Sequence, residues 1–153
     1  YEEEIFDLVI ADHVLFYCED IPQVLAECRR VLKNGGRFLC STYGKQHMWE
    51  ITDLVQQFHK EIVLSAEVLY ERFGLENGEN LLAPYFPEIQ MRRYEDAIEI
   101  AEAEPLISYI LSCHGNQNQL LLNQYKEFRE FVSARVADGF HITKDAGIFL
   151  CRK

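Results

Sequence analysis

The sequence contains five cysteines, Cys18, Cys28, Cys40, Cys113 and Cys151, but no two of them are spaced as C-x-x-C. Neither a disulfide framework nor a zinc site is indicated, and the apolar settings of three of them are those of small buried hydrophobes. No histidine shares a metal-like spacing with acidic partners, so no metal is expected. No apolar run is long enough to cross a bilayer and no secretory signal is visible, so the expectation is a cytoplasmic protein away from membranes. Internal repeats and low-complexity tracts are also missing. Positive charge is scarce, with 15 Lys and Arg against 25 Asp and Glu and a net charge of −10. Such a chain repels phosphate backbones, which counts against a nucleic-acid substrate. What is present is ordinary for a globular protein: 48 % hydrophobic and 26 % charged residues in a chain of 153, a length that fits one domain over 1–153.

The organising stretch is Phe6-Asp7-Leu8-Val9-Ile10-Ala11-Asp12-His13. Ile5 to Ala11 is almost unbroken in its apolarity, which predicts a strand buried on both faces. It ends on the polar pair Asp12 and His13, and the carboxyl end of such a strand is where open α/β sheets bind ligands. A helix follows. Asp20 is placed to cap it, Pro22 suits its first turn, and Gln23 completes the capping-box spacing. Ile21, Val24, Leu25, Cys28, Val31 and Leu32 share one helical face. Gly35-Gly36 supplies a left-handed exit, and Arg37 to Thr42 begins a second strand. The expected unit is a β-α-β crossover with parallel strands.

The order Phe-Asp-Leu-Val-Ile-Ala, apolar loop, then Leu25, Glu27, Arg29, Arg30, Val31, Leu32, Lys33, Gly35 and Gly36 resembles the second half of a class I S-adenosylmethionine-dependent methyltransferase. The resemblance makes the two strands the fourth and fifth of seven. The family's glycine-rich turn after its first strand, and the acidic residue ending its second, have no counterpart here. The expected fold is therefore α/β, the C-terminal half of a Rossmann-like methyltransferase sheet with strands in the order 4-5-7-6, the last strand antiparallel, and helices packed on it. On that reading S-adenosylmethionine is held mostly by a missing N-terminal half, and the fragment alone is inactive. Its first strand, left with a bare apolar edge, is expected to pair in a homodimer.

Further along, His47, Met48, Ile51, Leu54, Val55 and Phe58 predict an amphipathic helix, and Ser65 is placed to cap a shorter one through Phe73. A short helix is expected around Glu79 to Tyr85. Residues 88–94 alternate as an exposed strand whose Arg92-Arg93 pair suits a sheet edge. A brief strand is expected over 97–101, a helix over 104–113 and a long helix over 119–137. Phe140 to Thr143, a Lys-Asp-Ala-Gly turn and Ile148 to Cys151 read as a hairpin.

For the site, the resemblance implies that Ala11, Asp12 and His13 contact the methionine end of the cofactor, where a structural reading would make them only a strand cap. His13 could also serve as a base, since its pKa lies near neutrality, though a lone histidine is more often positional. Val14-Leu15-Phe16-Tyr17 lacks the Asn-Pro-Pro-Tyr motif that presents amino nitrogens in nucleic-acid and protein methyltransferases, so a small-molecule acceptor is expected. Tyr17, Tyr43, His47 and Trp49 could line its pocket. Methyl transfer from an activated sulfonium demands no particular catalytic residue, and none is assigned. Two rival readings stay open. One is a degenerate, non-catalytic interaction or dimerisation module; the other is a fragment of a nucleotide-binding oxidoreductase, which calls for a purely parallel sheet.

Overall fold

The computed structural model describes residues 1–65 and 67–153. In chain order the elements are β1 (Phe6–Asp12), α1 (Ile21–Val31), β2 (Leu32–Tyr43), α2 (Trp49–Phe58), α3 (Leu69–Arg72) and α4 (Gly78–Leu82). They are followed by β3 (Glu88–Ile100), α5 (Ala103–Ser112), α6 (Gln117–Leu121), α7 (Tyr125–Val136) and β4 (Phe140–Arg152). The strands form one sheet in the order β1-β2-β4-β3. β1 runs parallel to β2, with Val9 opposite Phe38 and Ala11 opposite Cys40. β4 runs antiparallel to β2, with Cys151 opposite Phe38 and Phe149 opposite Cys40. The purely parallel sheet that the oxidoreductase reading requires is therefore absent among the described residues.

The crossover forms for the reasons its sequence supplies. The Asp20 carboxylate accepts the Gln23 N–H at 2.9 Å, and Pro22 lies in the first turn of α1. Ile21 and Leu25 are buried on its inner face. Gly35 takes up φ +78°, a left-handed conformation that a side chain would strain. The expectation for β1 itself needs correcting. Ala11 is buried, but Leu8 is 41 % and Ile10 60 % exposed. Among the described residues β1 has one neighbouring strand, β2, and only one of its faces meets the core, so its continuous apolarity does not mean burial on both sides there.

The described residues gather into two compact units. The first comprises Tyr1–His47, Leu69–Glu95 and Asp145–Lys153. Its core contains Leu15, Phe16, Leu25, Phe38, Cys40, Phe73, Leu82, Phe86 and Phe149. Burial pushes the Cys151 thiol up to about 12 and the Cys40 thiol higher still, so both stay protonated hydrophobes at neutral pH.

The second unit comprises Met48–Val68 and Asp96–Lys144 and is helical, with a core of Leu54, Val55, Ile107, Ile110, Phe128 and Val132. Three expectations change in detail. The helix expected over 119–137 is two helices, α6 and α7, because Gln124 leaves helical geometry at φ −128°. The expected hairpin after Phe140 is one strand, β4, and residues 88–100 are also continuous as β3. The helix expected to start at Ser65 is the short α3, and Ala66 lies outside the described residues.

In the second unit Glu50 receives the Thr143 N–H at 3.0 Å and also its hydroxyl. Burial raises the Glu50 carboxyl, but these bonds, with the nearby His141, outweigh it and hold the group below its ordinary range. A depressed folded pKa stabilises the protein above the unfolded value, about 4.3, and that stabilisation is lost as pH falls through the folded value. The difference in melting temperature between wild type and Glu50→Gln should thus narrow on acidification from about pH 6 to about pH 3. A difference independent of pH would contradict this account.

Candidate functional site

The carboxyl ends of β1 and β2 meet where Asp12 lies opposite Ser41. The Ser41 hydroxyl donates to Oδ1 of Asp12, and Ser41 Oγ accepts the His13 N–H at 3.0 Å. His13 leaves the strand in the left-handed region at φ +48°. One serine thus holds a carboxylate and a strained backbone turn together, and the other Asp12 oxygen has no hydrogen-bond partner among the described residues.

Rings gather around this turn. The His13 and Tyr43 rings lie 6.3 Å apart and nearly parallel, at 17°. Phe16 sits edge-on to Tyr43 at 5.3 Å and to Tyr17 at 4.7 Å, and Tyr43 is 5.1 Å from His47. Phe16 is buried and anchors the group, whereas Tyr17 is 65 % exposed.

The loop that carries Tyr43 on to His47 is held from beneath. Asp145 accepts the Gly44 N–H through its carbonyl at 2.9 Å and the Gln46 N–H through its carboxylate at 3.1 Å. The Lys45 N–H donates to Glu76 at 3.1 Å. Arg93 joins both acids, donating to Asp145 at 2.6 and 3.1 Å and to Glu76 at 3.4 Å. Its guanidinium is held above the ordinary value, chiefly by the bond to Asp145. A Cβ on Gly44 would strike the Asp145 carboxylate, so this close approach requires glycine.

Of the residues expected at the site, Ala11, Asp12, His13, Tyr17, Tyr43 and His47 all lie at this end of the sheet. Trp49 begins α2 in the second unit and is 47 % exposed. Ser41, Arg93 and Asp145 escaped the sequence reading. Ser41-Thr42, a polar pair closing an apolar strand, was a usable signal for the first. Arg93 resembled an edge charge and Asp145 a turn residue. No cluster of metal-ligating side chains exists among the described residues.

The family described as "Methyltransferase domain" matches residues 1–40. The biotin biosynthesis bifunctional protein BioHC of Saccharophagus degradans is 38 % identical over 48 residues, which are 31 % of this chain and 9 % of that protein. A putative methyltransferase from Bacillus halodurans aligns with all of this chain at TM-score 0.56 and 12 % identity. The YcgJ protein of Bacillus subtilis does so at TM-score 0.54 and 12 % identity. The fold is Rossmann-like and methyltransferase-like. The chain spans 66 % of the length of each of these two structures.

Two expectations fall here. The expectation of a C-terminal half is corrected: the likeness to methyltransferase structures takes in the whole of residues 1–153, and the family match includes residues 1–40. The described residues form one four-stranded sheet and two hydrophobic cores, and the expected labelling of the sheet as strands 4-5-7-6 of a C-terminal half is corrected with it. The assignment of S-adenosylmethionine mostly to a missing N-terminal half falls with it. The methyltransferase-like fold is carried by the residues described above. Among them no helix is long and apolar enough to cross a membrane.

Proposed function

We propose that the protein is a cytoplasmic S-adenosylmethionine-dependent methyltransferase acting on a small molecule, with its site at the carboxyl ends of β1 and β2. The observation that carries this reading is the Ser41 lock on Asp12 and His13 beside a layer of rings. The donor set suits the cofactor. The backbone at Ala11, Asp12 and His13, with the unpaired Asp12 oxygen, would hold its methionine end, and an aromatic face favours a sulfonium cation. Bound there, the cofactor supplies a methyl group that is already activated. The protein's own task is then alignment and exclusion of water. Tyr17, Tyr43 and His47 border the acceptor position. His13, bonded through its main chain and stacked on Tyr43, positions rather than abstracts a proton. The five free cysteines suit a reducing compartment.

Calorimetric titration with S-adenosylhomocysteine tests this. Asp12→Ala removes a charged acceptor, an interaction of about 1.5–3 kcal/mol, and should weaken binding about 10- to 150-fold. No binding by the wild type, or equal affinity in the variant, would overturn the reading.

The edge of β1 supports a homodimer as part of the same proposal. Its outer backbone groups face no neighbouring strand among the described residues, and Ile5, Leu8 and Ile10 are exposed along it. Lys33 neutralises Asp7 at 2.9 Å, which eases antiparallel pairing with a second copy. Sedimentation equilibrium should show a reversible dimer, and a monomer throughout the concentration series would refute it.

A further inference from the structure

Residues 69–78 bond to both of the loops that carry the rings of the site, and all the groups concerned belong to the first unit. One loop leaves β1, makes a single 3-10 turn over Leu15–Tyr17 and so carries Phe16 and Tyr17. The Arg72 guanidinium donates to the Cys18 carbonyl at its end, at 2.7 Å. A charged donor makes the stronger kind of hydrogen bond. The other loop leaves β2 and carries Tyr43 and His47. There the Leu75 N–H donates to the Tyr43 carbonyl at 3.3 Å and the Lys45 N–H to Glu76 at 3.1 Å. The Thr42 hydroxyl donates to the Phe73 carbonyl at 2.7 Å.

A segment can hold two loops apart only if it is itself rigid, and this one is. Asn77 closes it with its whole side-chain amide. The Asn77 oxygen accepts the Gly74 N–H at 2.7 Å, and its NH2 donates to the Glu71 carbonyl at 2.7 Å and the Tyr70 carbonyl at 3.4 Å. These are carbonyls that the end of α3 leaves without a partner inside the helix. A Cβ on Gly74 would strike the Tyr70 carbonyl, so the turn is this tight only with glycine. Phe73 and Leu75 sink into the core and anchor the segment. Arg72 is exposed, so core packing does not account for its place. Its bond to Cys18 does.

We propose that residues 69–78 are a brace that sets the opening between Tyr17 and the Tyr43–His47 loop, with Arg72 the positioning residue for Tyr17. The inference rests on the reading that these rings border the acceptor. Arg72 acts on them through the Cys18 main chain. Its loss frees Tyr17 and leaves Asp12 and His13 in place, because Ser41 holds those two.

Amide hydrogen exchange and fluorine NMR of protein carrying 3-fluorotyrosine test the brace. Both are run without ligand, so a failure to bind S-adenosylhomocysteine would count against the functional reading and leave this result intact. The Tyr17 and Cys18 amides, which donate to Val14 and Leu15 at 3.0 Å, report on the turn. In Arg72→Met they should exchange at least about fivefold faster, and the Tyr17 signal should shift while that of Tyr43 does not. Arg72→Lys keeps a cationic donor and should restore most of the protection. Asn77→Ala, which loosens the joining segment, should shift the Tyr17 and Tyr43 signals together. The Arg72 variants decide the matter even where Asn77→Ala fails to fold, since Arg72 is exposed. Unchanged exchange at Tyr17 and Cys18 in Arg72→Met would overturn the proposal. So would a lysine variant no better than methionine, or equal acceleration at every amide, the mark of a general loss of stability. A folded Asn77→Ala protein in which only one of the two signals moves would overturn it as well.

Discussion

Phe149→Ala should destabilise the protein by about 3–5 kcal/mol, the range for emptying a fully buried aromatic position. The site leaves little room for relaxation. Phe149 is wholly buried, its ring lies 5.9 Å from that of Phe73, and its backbone is fixed opposite Cys40 by the β2–β4 ladder. On a further side, a Cβ on Gly78 would come within 2.6 Å of the ring, so the α4 backbone is already in contact with it. Neighbours on strands and at a helix start cannot collapse into the space, and the cavity cost adds to the lost transfer free energy. Urea denaturation measures the effect, and Phe149→Leu should cost less than half as much because most of the volume is kept. A loss below about 1.5 kcal/mol for the alanine variant would mean that the core is not packed as described.

The legible parts of this protein were those whose signals are local. The α1 crossover announces itself through Asp20 and Pro22, which act within a few residues and behave as that chemistry requires. The expected glycine exit does not form, because α1 ends on an extended Leu32 and the left-handed Gly35 lies within β2. The turn at Asp12 and His13 was legible for the same reason: a polar pair ends an apolar strand. Partners distant in sequence were not legible. Ser41 meets Asp12 only because parallel pairing fixes their register. Residues 144–147 carry turn chemistry, Lys-Asp-Ala-Gly, yet they continue β4, because Asp145 is drawn inward to Arg93 and Gly147 allows the Arg92 backbone to approach closely. The exposure of Leu8 and Ile10 was hidden too, since composition records apolarity and not which face finds a partner.

Asp145→Ala is the substitution that connects fold to site, and it should cost about 2–3 kcal/mol. Asp145 is 5 % exposed and accepts from both Arg93 and the Gln46 N–H. Removing one partner of a fully buried pair costs about 3–5 kcal/mol, mainly through the charge left behind. Arg93 is 40 % exposed and keeps Glu76, so its charge is not stranded and the lower figure applies. The Gln46 N–H loses its acceptor in Asp145→Ala, but Arg93→Ala leaves the buried Asp145 carboxylate without its cation, so Arg93→Ala should be at least as damaging. A double-mutant cycle on the two positions should give a coupling of about 1–2 kcal/mol. Strict additivity would show that the pair does not act as a unit. The consequence at the site follows from the chain path. Gly44 to Gln46 lies between Tyr43 and His47, so loss of the clamp frees the segment that keeps the two rings 5.1 Å apart. The His47 ring protons should therefore lose part of their ring-current shift in Asp145→Ala while those of His13, held by Ser41, change little.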